Sequence, residues 1–249
     1  MSARAASISD AEIDHFSQHA EDWWNPDGVF RPLHKLNPVR LAYIRDRACA
    51  HFGRDAESRP SLKGLKILDV GCGGGLVTEP LARLGGAVTG IDGSENTIAI
   101  ATRHAKASRL SIDYKVASVE ELTKKKTRYD LITALEVVEH VADVDSFLKA
   151  LAALLKPGGL LIMSTLNRTP KSFVLGIIAA EYILRWAPRG THEWNKFIRP
   201  SELVSKLQKV RLHADDLTGM VFNPLRGMFE LNKNDLEVNY LLSCGFRRK

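Results

Sequence analysis

A short apolar run, Lys66-Ile67-Leu68-Asp69-Val70, passes straight into Gly71-Cys72-Gly73-Gly74-Gly75 and then into an apolar segment from Leu76. Few features constrain a fold as strongly. A strand that ends in closely spaced glycines must turn its backbone tightly, and the missing Cβ atoms let a ligand lie against the main chain. A dinucleotide fingerprint would put its third glycine at position 76. Leu76 stands there, and Gly71, Gly73 and Gly75 form G-x-G-x-G behind Asp69 instead.

The segments that follow alternate in character. The pattern predicts strands at Lys66–Val70, Ala87–Ile91, Ser111–Val116, Tyr129–Ala134 and Leu160–Thr165. Between them it predicts helices at Leu76–Leu84, from a Ser94 cap to about Ser108, and at Asp143–Leu155, the last stopped by Lys156-Pro157-Gly158-Gly159. Strands alternating with helices make a mostly parallel sheet covered on both faces, an α/β fold. Ser201–Val210 reads as a later helix, and Leu212–Thr218 and Val238–Ser243 as closing strands, so a seven-stranded sheet with an antiparallel last strand is expected. Ahead of the sheet, residues 9–20 have helical character and Trp23 to Pro32 reads as irregular. A helix is expected to start at Asn37 as N-cap with Pro38 in its first turn.

The 249 residues, 45% of them apolar, suit one domain spanning 1–249. Residues 1–60 are expected to form an N-terminal helical segment, either a lid over a bound cofactor or an arm packed on the core, and 61–249 the core with an apolar helical insert after strand 5, at about 168–198. Three cysteines (Cys49, Cys72, Cys244) lack metal-ligand spacing and read as free thiols of a reducing compartment. The first twenty residues have no apolar h-region, and Phe173 to Ala187 is broken by Glu181 and Arg185. A soluble protein, resting at most on a membrane, is expected. The net charge of +6 suits nucleic acid, an anionic membrane surface or an acidic cofactor.

Asp92 closes the second strand, where a carboxylate can accept both hydroxyls of a ribose. With Asp69 ahead of it, the G-x-G-x-G spacing matches the methyltransferase version of such a loop, which takes S-adenosylmethionine, so Asp69, Gly71, Gly73, Gly75 and Asp92 are the leading cofactor residues. Ser118 and Leu135, at the carboxyl ends of later strands, are expected to flank the adenine and methionine parts. Arg40 is expected in the first turn of the lid helix, pairing with a methionine carboxylate. After the fourth strand, Glu136, Glu139 and His140 have the spacing to share one helical turn, with His192 as a fourth ligand. Two carboxylates and imidazoles suit Mg²⁺ or another divalent metal, which would lower a phenol's pKa. A metal-free alternative makes His140 or His192 the general base beside Glu136. The insert at 171–188 is apolar nearly all round and bracketed by basic residues. It reads either as a buried or dimer-forming helix, or as a peripheral membrane contact that delivers an apolar substrate.

Taken together, Trp23-Trp24-Asn25-Pro26, Phe30-Arg31-Pro32-Leu33-His34, Leu36-Asn37-Pro38-Val39-Arg40-Leu41, Asp69 to Leu76 and Glu136-Val137-Val138-Glu139-His140-Val141 resemble the ubiquinone biosynthesis O-methyltransferase family. The resemblance covers nearly the whole chain from about residue 12. It implies a class I, Rossmann-like fold that uses S-adenosylmethionine to methylate phenolic hydroxyls of polyprenyl catechol-type intermediates and of demethylubiquinol. It implies cofactor contacts at Arg40, Gly71, Asp92 and Leu135, and a place in a ubiquinone-synthesis complex on the cytoplasmic side of the inner membrane. The Glu-x-x-Glu-His motif also resembles the metal site of small-RNA 2′-O-methyltransferases, which is the rival enzyme reading. No nucleic-acid partner is expected, because an aromatic-basic binding surface is absent.

Overall fold

The computed structural model describes residues 20–174 and 194–247. Their centre is an eight-stranded sheet in the order β3-β2-β1-β4-β5-β8-β6-β7. The strands are β1 (Lys66–Val70), β2 (Ala87–Asp92), β3 (Asp113–Val116), β4 (Tyr129–Leu135), β5 (Leu155–Leu166), β6 (Leu212–Asn223), β7 (Met228–Asn232) and β8 (Asn239–Phe246). β1 to β5 run parallel, and β8 pairs antiparallel with both β5 and β6. The sheet thus has one strand more than the seven expected. The extra strand, β7, folds back on the end of β6 through the turn between Asn223 and Met228, and its five residues are too few to stand out beside Pro224 and Gly227.

Helices α1 (Arg31–Phe52), α2 (Thr78–Arg83), α3 (Glu95–Ala107), α4 (Val119–Thr123), α5 (Val144–Leu154) and α6 (Pro200–Lys209) surround the sheet. Successive strand residues feed opposite faces. Leu68 and Ile132 pack with Phe147, Leu148 and Leu203, whereas Ile67 and Leu131 pack with Ile44, Ala48 and Leu81. Burial on both faces is why the central strands read as continuous apolar runs. Ser94 caps α3 by accepting from the Thr97 N–H, and Asp143 caps α5 in the same manner.

The lid helix departs from expectation. It begins at Arg31, with Pro32 in its first turn, and Pro38 lies inside it. Proline at the first turn lacks only an N–H that would have had no partner. Pro38 removes a bond from the helix interior, and packing overrides that loss: Leu36, Tyr43 and Ile44 beside it are buried. Asn37 is therefore no N-cap; its Nδ2 donates to the Leu76 carbonyl at 2.7 Å. Arg40 sits in the third turn rather than the first. Residues 20–24, expected to be partly irregular, form a 3-10 turn (Ala20–Trp24). The helix expected at 9–20 and most of the insert, residues 175–193, lie outside the described residues. Among those described, no helix is long and apolar enough to cross a membrane.

Candidate active site

The carboxyl ends of β1, β2, β4 and β5 converge on the glycine loop. Gly71, Gly73 and Gly75 have φ of 66°, 52° and 94°, a region that residues with a Cβ enter only under strain. Asp92 ends β2 within reach of the loop: its Oδ2 accepts from the Gly73 N–H at 3.1 Å and its Oδ1 from the Ser94 N–H at 3.0 Å. Burial pushes its carboxyl up, and these backbone donors pull it back. Its oxygens keep lone pairs for a further donor.

Asp69, the fourth residue of β1, faces inward beside the loop. It is buried and accepts from Thr78 Oγ1 at 2.6 Å and Thr133 Oγ1 at 2.7 Å. Desolvation raises its carboxyl to about 6, against those hydroxyls and the Arg40 charge. Asp69 thereby ties the start of α2 to β4 and holds the loop's two ends. Ser118, after β3, accepts from the Glu121 N–H while Glu121 accepts from the Ser118 N–H, so its hydroxyl caps α4. Leu135 ends β4 at the same edge, almost buried.

The next residue, Glu136, has φ of 53°, an uncommon conformation for a side-chain-bearing residue and one that concentrates at functional sites. Its N–H donates to the Ser164 carbonyl, and its Oε1 accepts from Ser164 Oγ at 2.8 Å and faces Arg40 Nη2 at 3.4 Å. Glu139 is buried and accepts from Thr165 Oγ1 at 2.9 Å. Arg40 is only 4% exposed, its Nε has no hydrogen-bond partner, and Glu136, Glu139 and Asp69 all act on its charge. Burial lowers its guanidinium pKa despite them. One buried cation among three carboxylates leaves this edge rich in negative charge.

The expected single helical turn does not form. Glu136 precedes the 3-10 turn Val138–His140 in left-handed backbone, so it does not share a face with Glu139 and His140. Among the described residues no group of three His, Cys, Asp or Glu side chains is arranged to hold a metal ion. Glu136 is turned to Ser164 and Arg40, and Glu139 to Thr165. The trio therefore does not fit a metal in this arrangement, and His192 lies outside the described residues. His140 is half-buried at the same edge.

The N-terminal segment packs against the loop. Trp23 fills the space over Gly73 and Gly74 that a Cβ at either would enter, and stacks on Phe30 at 3.9 Å. Trp24 Nε1 donates to the Gly74 carbonyl at 3.0 Å. Motif reading missed Thr78, Thr133, Ser164 and Thr165, the hydroxyls that hold Asp69, Glu136 and Glu139. Their signal was present as polar residues in or beside otherwise apolar strands.

A family model described as a methyltransferase domain matches residues 41–212. The ubiquinone biosynthesis O-methyltransferase of Rhizobium leguminosarum bv. trifolii is 52% identical over 95% of this chain and 94% of its own length. That of Chelativorans sp. is 51% identical over 96% of this chain and 94% of its own. Among solved structures, magnesium protoporphyrin IX methyltransferase from Synechocystis with bound SAH superposes with a TM-score of 0.67 at 20% identity, covering 94% of this chain and 98% of that one. An S-adenosylmethionine-dependent methyltransferase from Clostridium acetobutylicum gives 0.61 at 14% identity, covering 93% and 98%. At these identities the two structures speak for the fold alone.

Proposed function

From a chain that belongs to the ubiquinone biosynthesis O-methyltransferase family, we infer transfer of a methyl group from S-adenosylmethionine to a phenolic hydroxyl of a polyprenyl catechol or quinol. The observation that carries the cofactor half is the Gly73 N–H to Asp92 bond, which joins loop and acidic strand end into one cradle. In this reading Asp92 accepts the ribose hydroxyls. Gly71, Gly73 and Gly75 admit the methionine portion, and Ser118 and Leu135 flank the nucleoside. Arg40 meets the methionine carboxylate. The carboxylates around Arg40 suit the positive sulfonium and ammonium of the cofactor.

The reaction is a direct displacement. The phenolic oxygen attacks the methyl carbon as the carbon–sulfur bond breaks, and the bonding electrons pass to sulfur. His140 takes the phenolic proton, and Glu136, held by Ser164 and Arg40, orients the acceptor. A neutral thioether is a good leaving group, so positioning and deprotonation carry the catalysis.

A polyprenyl tail calls for an apolar approach. Phe173 and Val174, at the start of the insert, are 43% and 50% exposed, and Lys171 beside them pairs with Asp235 and Glu237. Residues 171–188 are proposed to rest on the cytoplasmic face of the inner membrane. Co-sedimentation with liposomes is expected to fall when Phe173 and Val174 are both replaced by serine; unchanged binding would remove this part. The central test is methyl transfer from labelled S-adenosylmethionine to a short-chain catechol. O-methylated product is expected, and its absence from a protein that binds S-adenosylhomocysteine would overturn the acceptor assignment.

A further inference from the structure

Beyond the residues that face the cofactor, we propose that Trp24, His104 and Glu79 are positioning residues that set the glycine loop from its outer side. The proposal rests on reading that loop as the S-adenosylmethionine cradle.

The contacts form a closed circuit. Trp24 Nε1 donates to the Gly74 carbonyl at 3.0 Å. The same indole lies flat on the His104 imidazole, with centroids 3.5 Å apart and planes within 8°. His104 Nδ1 meets Glu79 Oε1 at 2.6 Å. A carboxylate only accepts, so Nδ1 carries the proton there. Glu79 is buried and returns to the loop through its own N–H, which donates to the Gly75 carbonyl at 3.0 Å. Two consecutive loop carbonyls, Gly74 and Gly75, are thus held from one side by the lid and from the other by α2, with α3 as the link.

The loop has reason to need such fixing. Residues 71 and 73–75 are all glycine, and glycine loses more conformational freedom on ordering than any other residue. A loop left free would have to be ordered by the cofactor itself, which lowers affinity. A buried carboxylate such as Glu79 also demands a partner. His104 meets that demand at 2.6 Å, and Arg83 lies farther, at 3.5 Å. The imidazole so oriented presents its face to Trp24. None of the three residues belongs to the acceptor edge, so their effect should fall on cofactor affinity and leave the chemical step alone.

The test is titration of the full chain with S-adenosylhomocysteine by calorimetry, alongside steady-state kinetics. Trp24→Phe keeps a flat ring and removes the N–H; His104→Ala removes the stack and the Glu79 contact; His104→Phe restores the stack. Trp24→Phe and His104→Ala are each expected to weaken binding by about five- to tenfold. The cofactor KM should rise by the same factor while kcat at saturating cofactor stays within about twofold. His104→Phe should recover part of the loss. Wild-type affinity in both Trp24→Phe and His104→Ala would overturn the relay. So would a parallel fall of kcat, affinity and melting temperature, which marks a merely structural role. A wild-type protein that binds S-adenosylhomocysteine but methylates no catechol would instead defeat the acceptor assignment and leave the relay standing.

Discussion

The two halves of the site are built differently. On the cofactor side, between β1 and β2, loop and strand end satisfy one another: Asp92 accepts from Gly73 and Ser94, and Asp69 from Thr78 and Thr133. On the acceptor side, beyond β4 and β5, Glu136 is held in left-handed backbone and one buried guanidinium is set against Glu136 and Glu139 with its Nε unpartnered. The difference teaches where each half gets its rigidity. The first is fixed by neutral and backbone hydrogen bonds, the second by an ion cluster that is stable only while all its members are present. Removing Arg40 should therefore cost stability in addition to the cofactor contact proposed for it, whereas removing Asp92 should act on affinity.

Arg40→Ala is the harshest break of that contrast. It strands Glu136 and Glu139 without their buried cation, and stability is expected to fall by about 3–5 kcal/mol in denaturant unfolding. A loss below about 1 kcal/mol would mean the ion cluster is not what holds this edge.

Asp69→Asn probes the same question through pH. The folded-state carboxyl lies at about 6, above its ordinary value of 3.8. Its protonated form therefore favours the fold below the ordinary value, and that contribution is lost as pH rises through about 6. The unfolding free energy of the wild type, relative to Asp69→Asn, should drop by about 2 kcal/mol between pH 4 and pH 7. A flat difference would show that desolvation of Asp69 is relieved by its two threonines.

Asp92→Ala removes both the ribose acceptor and the Gly73 anchor. Affinity for S-adenosylhomocysteine should fall by about a hundredfold, near 3 kcal/mol, with little loss of fold. Calorimetry paired with thermal melting would reveal the opposite pattern if the cofactor side depended on charge for its stability. Glu136→Gln is the mildest change. It keeps the shape and the Ser164 contact but removes the charge, and kcat should fall by about tenfold while cofactor affinity moves by less than about threefold. Equal losses in both would merge the two halves into one.

The halves also differed in how readable they were. The half proposed for the cofactor is local: strand, glycines, helix and terminal acid follow one another in the chain, so the meeting of the glycine loop with Asp92 was legible at once, as was the Ser94 cap. The acceptor half joins α1 to residues almost a hundred positions later, as Arg40 and Glu136 show, and the spacing of Glu136, Glu139 and His140 misled. Helical spacing is informative only inside a helix, and the backbone reverses hand at Glu136. Pro38 misled in the same manner, because burial of Leu36, Tyr43 and Ile44 outweighs the local preference of proline for a first turn.

By itself the sequence determined the α/β class, the glycine loop after the first strand and the alternation of parallel strands with helices, because each depends on residues adjacent in the chain or on the periodicity of burial. Tertiary structure alone decided the eighth strand, the start of the lid helix, the inward turn of Asp69 and the partners of Arg40. These depend on which distant polar atoms meet once water is excluded, and no short-range pattern carries that information.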